Sequence, residues 1–364
     1  MRVLFLANIP SPYRVDFFNE LGKYCDLTVL FERKEAVDRE WAVNNNQNYK
    51  AVYLKGKQIG NDTALCFEVR KYLNKTFDKI IVGGYSTPTG MLAIQILKMK
   101  QIPFYLNCDG GFIKKERKIN YLVKKYFISK ATYYLSSGNE TNRYLEHYGA
   151  KKEKIYIYPF TSLMKKEILD RPLTTKEKKK LKDALNIVDK KIVIFVGQII
   201  HRKGVDILLK TAKNFSGDIH TYIIGGNPTS ECLQIINENN IKHIHFMNFM
   251  DKGKLFKYYQ IADIFILPTR EDIWGLVINE AMANGLPIIT TDRCIAGLEL
   301  VRNNGYVIPC NDVDEMSKKV NILFNDSLKM KEFSEKSLEN ISNYSIENMA
   351  IQTIQILNKK DNND

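Results

Sequence analysis

The sequence predicts an α/β protein built from two tandem Rossmann-like domains that face a cleft. Two observations lead to this fold class. The chain has 364 residues, more than one hydrophobic core usually supports. Short apolar runs alternate with segments of helical periodicity, and the alternation lapses once, in a charged central stretch. We therefore expect a first domain over residues 1–165, a linker over 166–190 and a second domain over 191–344. A C-terminal helix at about 345–358 is expected to pack back on the first domain.

The first series of elements opens with the apolar run RVLFLA, which Asn8, Pro10 and Pro12 close. Apolar residues then recur at helical spacing from Val15 to Leu21, and residues 88–100 have the length of a helix. Strands are predicted at 2–7, 27–31, 79–82, 103–106, 133–135 and 155–158. Strands that alternate with helices indicate a parallel sheet with right-handed crossovers.

The second series follows the charged run KEKKKLKDAL, which we interpret as a linker with one solvated helix. Its strands are predicted at 192–196, 221–224, 243–246, 264–267, 287–290 and 306–308. Ligands of open α/β sheets bind beyond the carboxyl ends of the strands. The site is therefore expected at those ends, in the cleft between the two sheets.

Composition narrows the functional class. No apolar run reaches the ~18 residues of a membrane helix, and the six cysteines are scattered without metal-ligand spacing. The net charge of +13 is uneven: residues 1–165 carry 27 Lys and Arg against 15 Asp and Glu, whereas residues 166–364 carry 27 against 26. We expect a cytoplasmic protein, without a nucleic-acid partner, whose first domain faces an anionic surface.

The most informative stretch is residues 268–301, PTREDIWGLVINEAMANGLPIITTDRCIAGLELV. It follows a predicted strand, turns through a loop containing Glu271, Asp272 and Gly275, and enters a helix at about Leu276. Glu280 lies about one turn inside that helix. The loop and the helix N-terminus offer N–H groups to a diphosphate. The carboxylates can accept hydrogen bonds from pairs of sugar hydroxyls.

This stretch resembles the signature of the retaining glycosyltransferases of family four, which have the GT-B fold and include phosphatidylinositol mannosyltransferases and lipopolysaccharide-core glucosyltransferases. The matching residues are Asp272, Trp274-Gly275, Glu280-Ala281-Met282-Ala283 and Gly285-Leu286-Pro287. The resemblance implies that Asp272 contacts the donor hexose and Glu280 the nucleotide ribose. The amides of Trp274, Gly275, Leu276 and Val277 would contact the sugar hydroxyls and the diphosphate. The family usually has Glu at the position of Asp272, which leaves open whether Asp272 or Glu271 reaches the sugar.

A second motif, FVGQIIHRKGVDILL, occupies residues 195–209. It resembles the family's Gly-Arg-Leu followed by Lys-Gly, whose Arg and Lys neutralise the leaving diphosphate. Gly197 and Lys203 match, but Gln198 stands where the Arg usually is. One positive charge is thus missing unless Arg202 replaces it.

Weaker candidates complete the second domain. Gly225-Gly226 resembles the family's second glycine loop beside the donor, although a plain turn after a strand also explains it. Phe249 stands where the family holds the nucleotide base, and the alternative is a core aromatic residue.

In the first domain, LNCDGGF places Asp109 at the end of a strand. Asp109 is the predicted polar residue facing the anomeric centre, with capping of the Gly110-Gly111 turn as the alternative. Arg14 either binds an acceptor phosphate or is solvated on the first helix, and we favour solvation.

The resemblance implies transfer of a hexose-type sugar, with retention, from a nucleoside-diphosphate sugar to a saccharide or lipid-linked acceptor in surface polysaccharide synthesis. Asp109, Lys203 and Asp272 are the catalytic candidates, and no metal or other cofactor is expected. A nucleotide-sugar 2-epimerase and a non-catalytic nucleotide-sugar-binding protein are the alternatives.

Residues 114–130, KKERKINYLVKKYFISK, combine lysines with an apolar stripe. At helical spacing the stripe consists of Ile119, Leu122, Val123, Tyr126 and Phe127. It predicts peripheral docking on the anionic inner face of the membrane. The alternative is a helix whose stripe packs on its own domain.

Overall fold

The chain is described here from a computed structural model, which covers residues 1–34, 48–59, 63–188, 191–215 and 218–359. The described residues form two compact units. The first unit comprises residues 1–162 and the C-terminal segment from Tyr344, and the second unit comprises Leu163–Asn343.

The first unit contains a parallel sheet of seven described strands. The strands of this unit are β1 (Arg2–Ala7), β2 (Asp26–Phe31), β3 (Lys50–Tyr53), β4 (Lys57–Gln58), β5 (Ala64–Leu65), β6 (Lys79–Val82), β7 (Tyr105–Cys108), β8 (Tyr133–Ser136) and β9 (Ile155–Ile157). The sheet order is β3-β2-β1-β6-β7-β8-β9, and β4 pairs with β5 separately in an antiparallel pair. Its helices are α1 (Pro12–Leu21), α2 (Pro88–Met99), α3 (Lys118–Ile128) and α4 (Asn139–His147).

The second unit contains a six-stranded parallel sheet among the described residues. Its strands are β10 (Lys191–Val196), β11 (Ile219–Ile224), β12 (Ile244–Met247), β13 (Ile264–Leu267), β14 (Ile288–Thr291) and β15 (Gly305–Ile308), in the order β12-β11-β10-β13-β14-β15. Its helices are α5 (Thr175–Ala184), α6 (Val205–Ala212), α7 (Ser230–Glu238), α8 (Lys252–Ile261), α9 (Leu276–Ala283), α10 (Ile295–Leu300), α11 (Val313–Asn325) and α12 (Ser327–Ile341).

The central strands are continuous apolar runs because helices cover both faces of a parallel sheet. In β1 and β10, every residue after the first is buried. Helix α1 begins with Pro12, whose fixed φ suits the first helical position. Helix α2 is capped by the Thr87 hydroxyl, which accepts a hydrogen bond from the Gly90 N–H at 2.9 Å. The predicted α/β fold class with two Rossmann-like domains is confirmed.

Several elements differ from the sequence prediction, and three of them concern the sheet edges and the linker. Strand β7 begins at Tyr105 rather than at residue 103, because Pro103 has no N–H for a ladder hydrogen bond. Strand β3 at the sheet edge was not predicted. The helix expected in the linker is α5, which belongs to the second unit and packs against α8. There the ammonium group of Lys178 donates to the Ala262 carbonyl at 2.6 Å. Residues 189 and 190 of the predicted linker lie outside the described residues.

The last described helix, α13 (Ile346–Leu357), belongs to the first unit and packs against α1. Ser345 caps it by accepting a hydrogen bond from the Asn348 N–H at 3.2 Å. Over the described ranges, no helix combines the length and apolarity needed to cross a bilayer.

Candidate functional site

In the second unit, loops at the carboxyl ends of β10, β11 and β13 carry the residues predicted to bind the donor. Backbone hydrogen bonds join the loop after β10 to β11 and the loop after β11 to β12. The N–H of Gly197 donates to the Ile224 carbonyl, and the N–H of Gly225 donates to the Met247 carbonyl, each at 2.9 Å. Parallel strands end at one edge of their sheet, so these glycines meet there as the motifs predict. Gln198, by contrast, is exposed beside Gly197.

Lys203 ends a short 3₁₀ turn, His201–Lys203, that leads into α6. Gly204 makes the connection with φ of 73°, in the left-handed region. A Cβ atom on Gly204 would lie 2.0 Å from the carbonyl oxygen of Pro268, so only glycine fits there. The turn thereby packs directly on the loop that follows β13.

Lys203 and Asp272 form an ion pair in this loop cluster. Their side chains are only 13% and 11% exposed, so little water screens the charges. The guanidinium of Arg202 lies 3.9 Å from the Asp272 carboxylate and donates to the Glu271 carbonyl at 2.7 Å. The structure therefore places Arg202, a residue 45% exposed at its side chain, near the predicted diphosphate position. Of the two candidate acids, Asp272 is the one that lies against Lys203.

The loop after β13 is fixed by an ion pair that the sequence analysis missed. Arg270 binds the Asp206 carboxylate through two hydrogen bonds of 2.8 and 2.6 Å, and it also donates to the His201 carbonyl at 2.7 Å. Burial raises the pKa of Asp206, but the hydrogen bonds and the positive charge of Arg270 lower it by more. The pKa of Asp206 therefore lies below its ordinary value. No local sequence pattern links these two positions. Arg270 thus joins the loop after β13 to the start of α6, a role that the sequence analysis did not assign to it.

Helix α9 begins after Gly275, whose φ is 101°. Its first N–H groups have no carbonyl partner within the helix, as at any helix start. Leu276 and Val277 lie in this first turn and are half-buried. The Trp274 ring is buried, and its indole N–H donates to the Asn279 side chain at 3.0 Å. A ligand could therefore meet only the backbone of Trp274, as the family resemblance implies.

Glu280 is half-buried in α9 and accepts a hydrogen bond from the Tyr259 hydroxyl at 3.2 Å. Burial, together with the Glu280 carboxylate, raises the pKa of Tyr259 well above its ordinary value. Tyr259 stays a hydrogen-bond donor for that reason, and it orients Glu280.

Phe249 is 79% exposed, so the structure excludes the alternative in which this residue is a core aromatic. The binding roles of Glu280 and Phe249 stay predictions.

In the first unit, the prediction that Arg14 is solvated is wrong. We expected it to be solvated, but its side chain is only 8% exposed. One guanidinium nitrogen, Nη2, donates to both carboxylate oxygens of Asp109 at 2.6 Å. The rings of Phe5, Tyr13 and Phe160 lie within 5.7 Å of the guanidinium carbon. Burial lowers the pKa of Arg14, but the negative charge of the Asp109 carboxylate raises it by more, so the pKa of Arg14 lies above its ordinary value.

Among the described residues, the hydrogen bonds of the Asp109 carboxylate do not include one to the Gly110-Gly111 turn. Its carboxylate accepts hydrogen bonds from Asn107 at 2.7 Å and from Tyr158 at 3.0 Å, besides those from Arg14. Its side chain is 26% exposed and lines a cavity of about 200 Å³. The structure thus makes Asp109 the anchor of a buried polar cluster at the end of β7. Its catalytic role stays a prediction.

Helix α3 carries the stripe predicted to dock on a membrane. Four of its five residues are exposed, with values of 64% for Ile119, 48% for Leu122, 39% for Val123 and 37% for Tyr126. Phe127 instead packs against the hydrophobic core. The charge of Lys124 is not available for a membrane, because its ammonium group pairs with the Glu116 carboxylate at 2.8 Å. The stripe is thus mostly open to solvent, contrary to the alternative in which it packs on its own domain.

Across the described part of the chain, no group of three or more His, Cys, Asp or Glu side chains is arranged to hold a metal ion. Independence from metal ions stays a prediction.

Comparison with known proteins shows what the chain resembles. Residues 177–340 match the family model described as glycosyl transferases group 1. This segment holds all the predicted donor-binding residues, and the resemblance to a glycosyltransferase family stated from the sequence is confirmed. An uncharacterized glycosyltransferase of Haemophilus influenzae is 30% identical over 177 residues, covering 46% of this chain and 48% of that protein.

Two further similarities extend the comparison. The N,N'-diacetylbacillosaminyl-diphospho-undecaprenol alpha-1,3-N-acetylgalactosaminyltransferase of Campylobacter jejuni is 24% identical, over 61% of this chain and 59% of its own length. These two curated relatives are thus matched over about half to three fifths of their length. The structure of Anabaena HepE in complex with UDP superposes with a TM-score of 0.79 at 14% identity, covering 98% of this chain and 99% of that one. At this identity the likeness shows the fold, which is that of the GT-B glycosyltransferases.

Proposed function

We propose that the protein is a retaining glycosyltransferase that moves a hexose-type sugar from a nucleoside-diphosphate sugar to a saccharide or lipid-linked acceptor of surface polysaccharide synthesis. The observation that carries the proposal is the Lys203–Asp272 pair beside the start of α9, inside the segment that matches the family. A cation, a carboxylate and free helix N–H groups together suit a sugar diphosphate.

The ion pair gives the donor site a simple binding logic. Lys203 and Asp272 satisfy each other's charge in a site that water reaches poorly. An arriving diphosphate competes for the Lys203 ammonium group and leaves Asp272 to accept hydrogen bonds from sugar hydroxyls. Charge on the diphosphate increases as the bond to the sugar breaks, so Lys203 stabilises the transition state more than the ground state.

Arg202 is the proposed substitute for the arginine that Gln198 replaces. Its guanidinium already lies 3.9 Å from Asp272, and its long, half-exposed side chain can turn toward a diphosphate. The complex of HepE with UDP supports a nucleotide ligand for this fold. A binding screen of nucleotide sugars would identify the base and the sugar that this chain selects.

The acceptor side of the proposal rests on α3. Its exposed apolar residues are bordered by exposed cations, namely Lys115, Arg117, Lys118 and Lys125. Each basic residue near an anionic leaflet contributes about 1 kcal/mol to binding. The surface therefore suits the inner face of a bacterial membrane, where an acceptor carried on a lipid diphosphate is held. The name of the Campylobacter relative specifies such an acceptor for that protein.

The experiment that tests the function measures nucleoside diphosphate release from a panel of UDP- and GDP-sugars, with and without polyprenyl-diphosphate saccharides. A transferase releases the diphosphate faster when its acceptor is present, and the new glycosidic bond retains the donor's anomeric configuration in the NMR spectrum. Acceptor-independent conversion of the sugar would indicate an epimerase instead. Binding of a nucleotide sugar without turnover would indicate a binding protein.

A further inference from the structure

A largely buried ion pair joins the two stretches of chain that carry the donor-site candidates. Arg270 lies in the loop after β13, shortly before Asp272, and Asp206 lies in the first turn of α6, shortly after Lys203. The side chains of Arg270 and Asp206 are only 19% and 11% exposed. The proposed function uses neither of these side chains, so their purpose in the donor site is open to inference.

The Arg270 guanidinium is bonded to the chain on both sides of Lys203. Two hydrogen bonds of 2.8 and 2.6 Å run to the two carboxylate oxygens of Asp206, and a third of 2.7 Å runs to the His201 carbonyl. His201 begins the short 3₁₀ turn that Lys203 ends. A forked pair of an arginine and a carboxylate fixes the orientation of both side chains as well as their distance. Arg270 therefore holds the turn at two points that lie on either side of Lys203 in the sequence.

Two further hydrogen bonds hold the same turn through the carbonyl group of Arg202. The Arg270 N–H donates to this carbonyl at 2.8 Å, and the Thr269 hydroxyl donates to it at 2.9 Å. Thr269 is fully buried, and its own carbonyl accepts from the Thr291 hydroxyl at 2.5 Å. The backbone that carries Arg202 and Lys203 is thus attached to the carboxyl ends of β13 and β14. A movement of either side chain does not require this backbone to move.

This attachment lies between the two partners of the Lys203–Asp272 ion pair. Lys203 belongs to the turn before α6, and Asp272 belongs to the loop after β13. A charge stabilises a transition state best when the protein already holds it in place, because no reorganisation is then needed during the reaction. A displacement of about 1 Å at a reacting centre can lower a rate by about 10²-fold. The position of the Lys203 backbone relative to Asp272 therefore matters for a diphosphate that binds between them.

We propose that Arg270 and Asp206 are positioning residues of the donor site, which hold the Lys203 backbone in place relative to Asp272 while the Lys203 side chain moves to the diphosphate. The inference rests on the proposed function, because it concerns the approach of Lys203 to the donor. In this arrangement Arg270 acts through Lys203 and does not itself contact the sugar or the diphosphate.

Three variants loosen the attachment to different degrees. Arg270→Gln removes the forked pair, Arg270→Lys keeps a cation that can form one of its bonds, and Asp206→Asn keeps one acceptor oxygen. Loss of one partner from a buried pair can prevent folding, and the two milder variants then carry the test. Arg171→Gln is the matched control. Arg171 forms a forked pair with Glu177, with two bonds of 2.9 Å, in the same unit but beside α5.

The measurement is a double-mutant cycle between Arg270 and Lys203. It uses the single-turnover rate constant for release of nucleoside diphosphate from the UDP- or GDP-sugar that the wild type turns over fastest. Arg270→Gln should lower this rate constant by about tenfold or more, and the two milder variants should lower it less. The dissociation constant of the nucleoside diphosphate should change by less than about threefold, because the lost contact matters most in the transition state. Arg171→Gln should match the wild type.

The decisive comparison is made in the Lys203→Ala background. There Arg270→Gln should change the rate constant by no more than about twofold, because a residue that acts through Lys203 then has nothing to position. A merely structural role predicts the same fractional loss in both backgrounds. That result, a wild-type rate for folded Arg270→Gln, or an equal loss for Arg171→Gln would overturn the proposal.

The activity of the wild type separates this inference from the proposed function. If the wild type releases no nucleoside diphosphate from any UDP- or GDP-sugar, the proposed function fails and the inference fails with it. If the wild type is active and Lys203→Ala is slow, but the losses from Lys203→Ala and Arg270→Gln multiply, only the positioning role of Arg270 is wrong.

Discussion

At the scale of single residues, Lys203 is proposed to exchange its partner when the donor binds. Lys203 is paired with Asp272, and we propose that the diphosphate replaces this carboxylate. Lys203→Ala is expected to lower kcat at saturating donor by about 10²- to 10³-fold, the range for loss of one preorganised electrostatic contact. The donor's dissociation constant should change less. Lys210→Ala, an exposed position of α6, is the control. Equal losses in kcat for both variants, or none for Lys203→Ala, would remove Lys203 from the mechanism.

Glu280 gives a second test at this scale. Glu280→Ala removes acceptors for ribose hydroxyls, which are worth about 1–3 kcal/mol for a charged group, so the donor's dissociation constant should rise roughly 5- to 150-fold. Isothermal titration with UDP measures this change. Tyr259→Phe removes only the 3.2 Å hydrogen bond that orients Glu280 and should have a smaller effect. Normal UDP affinity in folded Glu280→Ala would refute the assignment.

At the scale of elements, Gly204 at the start of α6 lets the motif at residues 195–209 pack against the stretch that begins at Pro268. Gly204→Ala requires a left-handed backbone, which costs about 1–2 kcal/mol, and places a Cβ atom 2.0 Å from the Pro268 carbonyl oxygen. We expect the variant to unfold at least several degrees below the wild type in calorimetry. Gly84→Ala, where a Cβ atom meets open space, should unfold at the wild-type temperature. Similar unfolding temperatures for both variants would show that the turn tolerates a side chain.

The α3 surface is an element with its own test. Lys115→Glu with Lys118→Glu reverses two exposed charges and leaves the Lys124–Glu116 pair intact. Sedimentation with liposomes containing anionic lipid should fall strongly for this variant at low salt and fall for the wild type at high salt. Lys151→Glu with Lys152→Glu makes the same charge change at exposed positions outside α3. If the two double variants bind equally, net charge rather than α3 determines binding.

The sequence predicted elements better than it predicted side-chain environments. The strand ends near Val196, Ile224 and Leu267 follow from apolar runs, so the loops that carry Gly197, Gly225 and Asp272 could be placed in advance. The burial of Arg14 could not be predicted, because it depends on Asp109 and on the ring of Phe160, which are distant in sequence. The Arg270–Asp206 pair escaped prediction for the same reason.

At the scale of the whole molecule, the chain divides its tasks between two units of the same fold class. The second unit holds the residues proposed for the donor, and its sequence matches the family model. The first unit carries the excess positive charge, the exposed face of α3 and the polar pocket around Arg14.

The central claim is that the chain uses a nucleoside-diphosphate sugar as the donor in a transfer reaction. The most direct measurement is release of nucleoside diphosphate from purified wild type and Lys203→Ala, with each of a panel of UDP- and GDP-sugars, in the presence and absence of polyprenyl-diphosphate saccharides. The account predicts that one donor is turned over, that acceptor accelerates its turnover, and that Lys203→Ala abolishes most of the rate. Failure of the wild type to release nucleoside diphosphate from any donor, or a rate independent of Lys203, would contradict it.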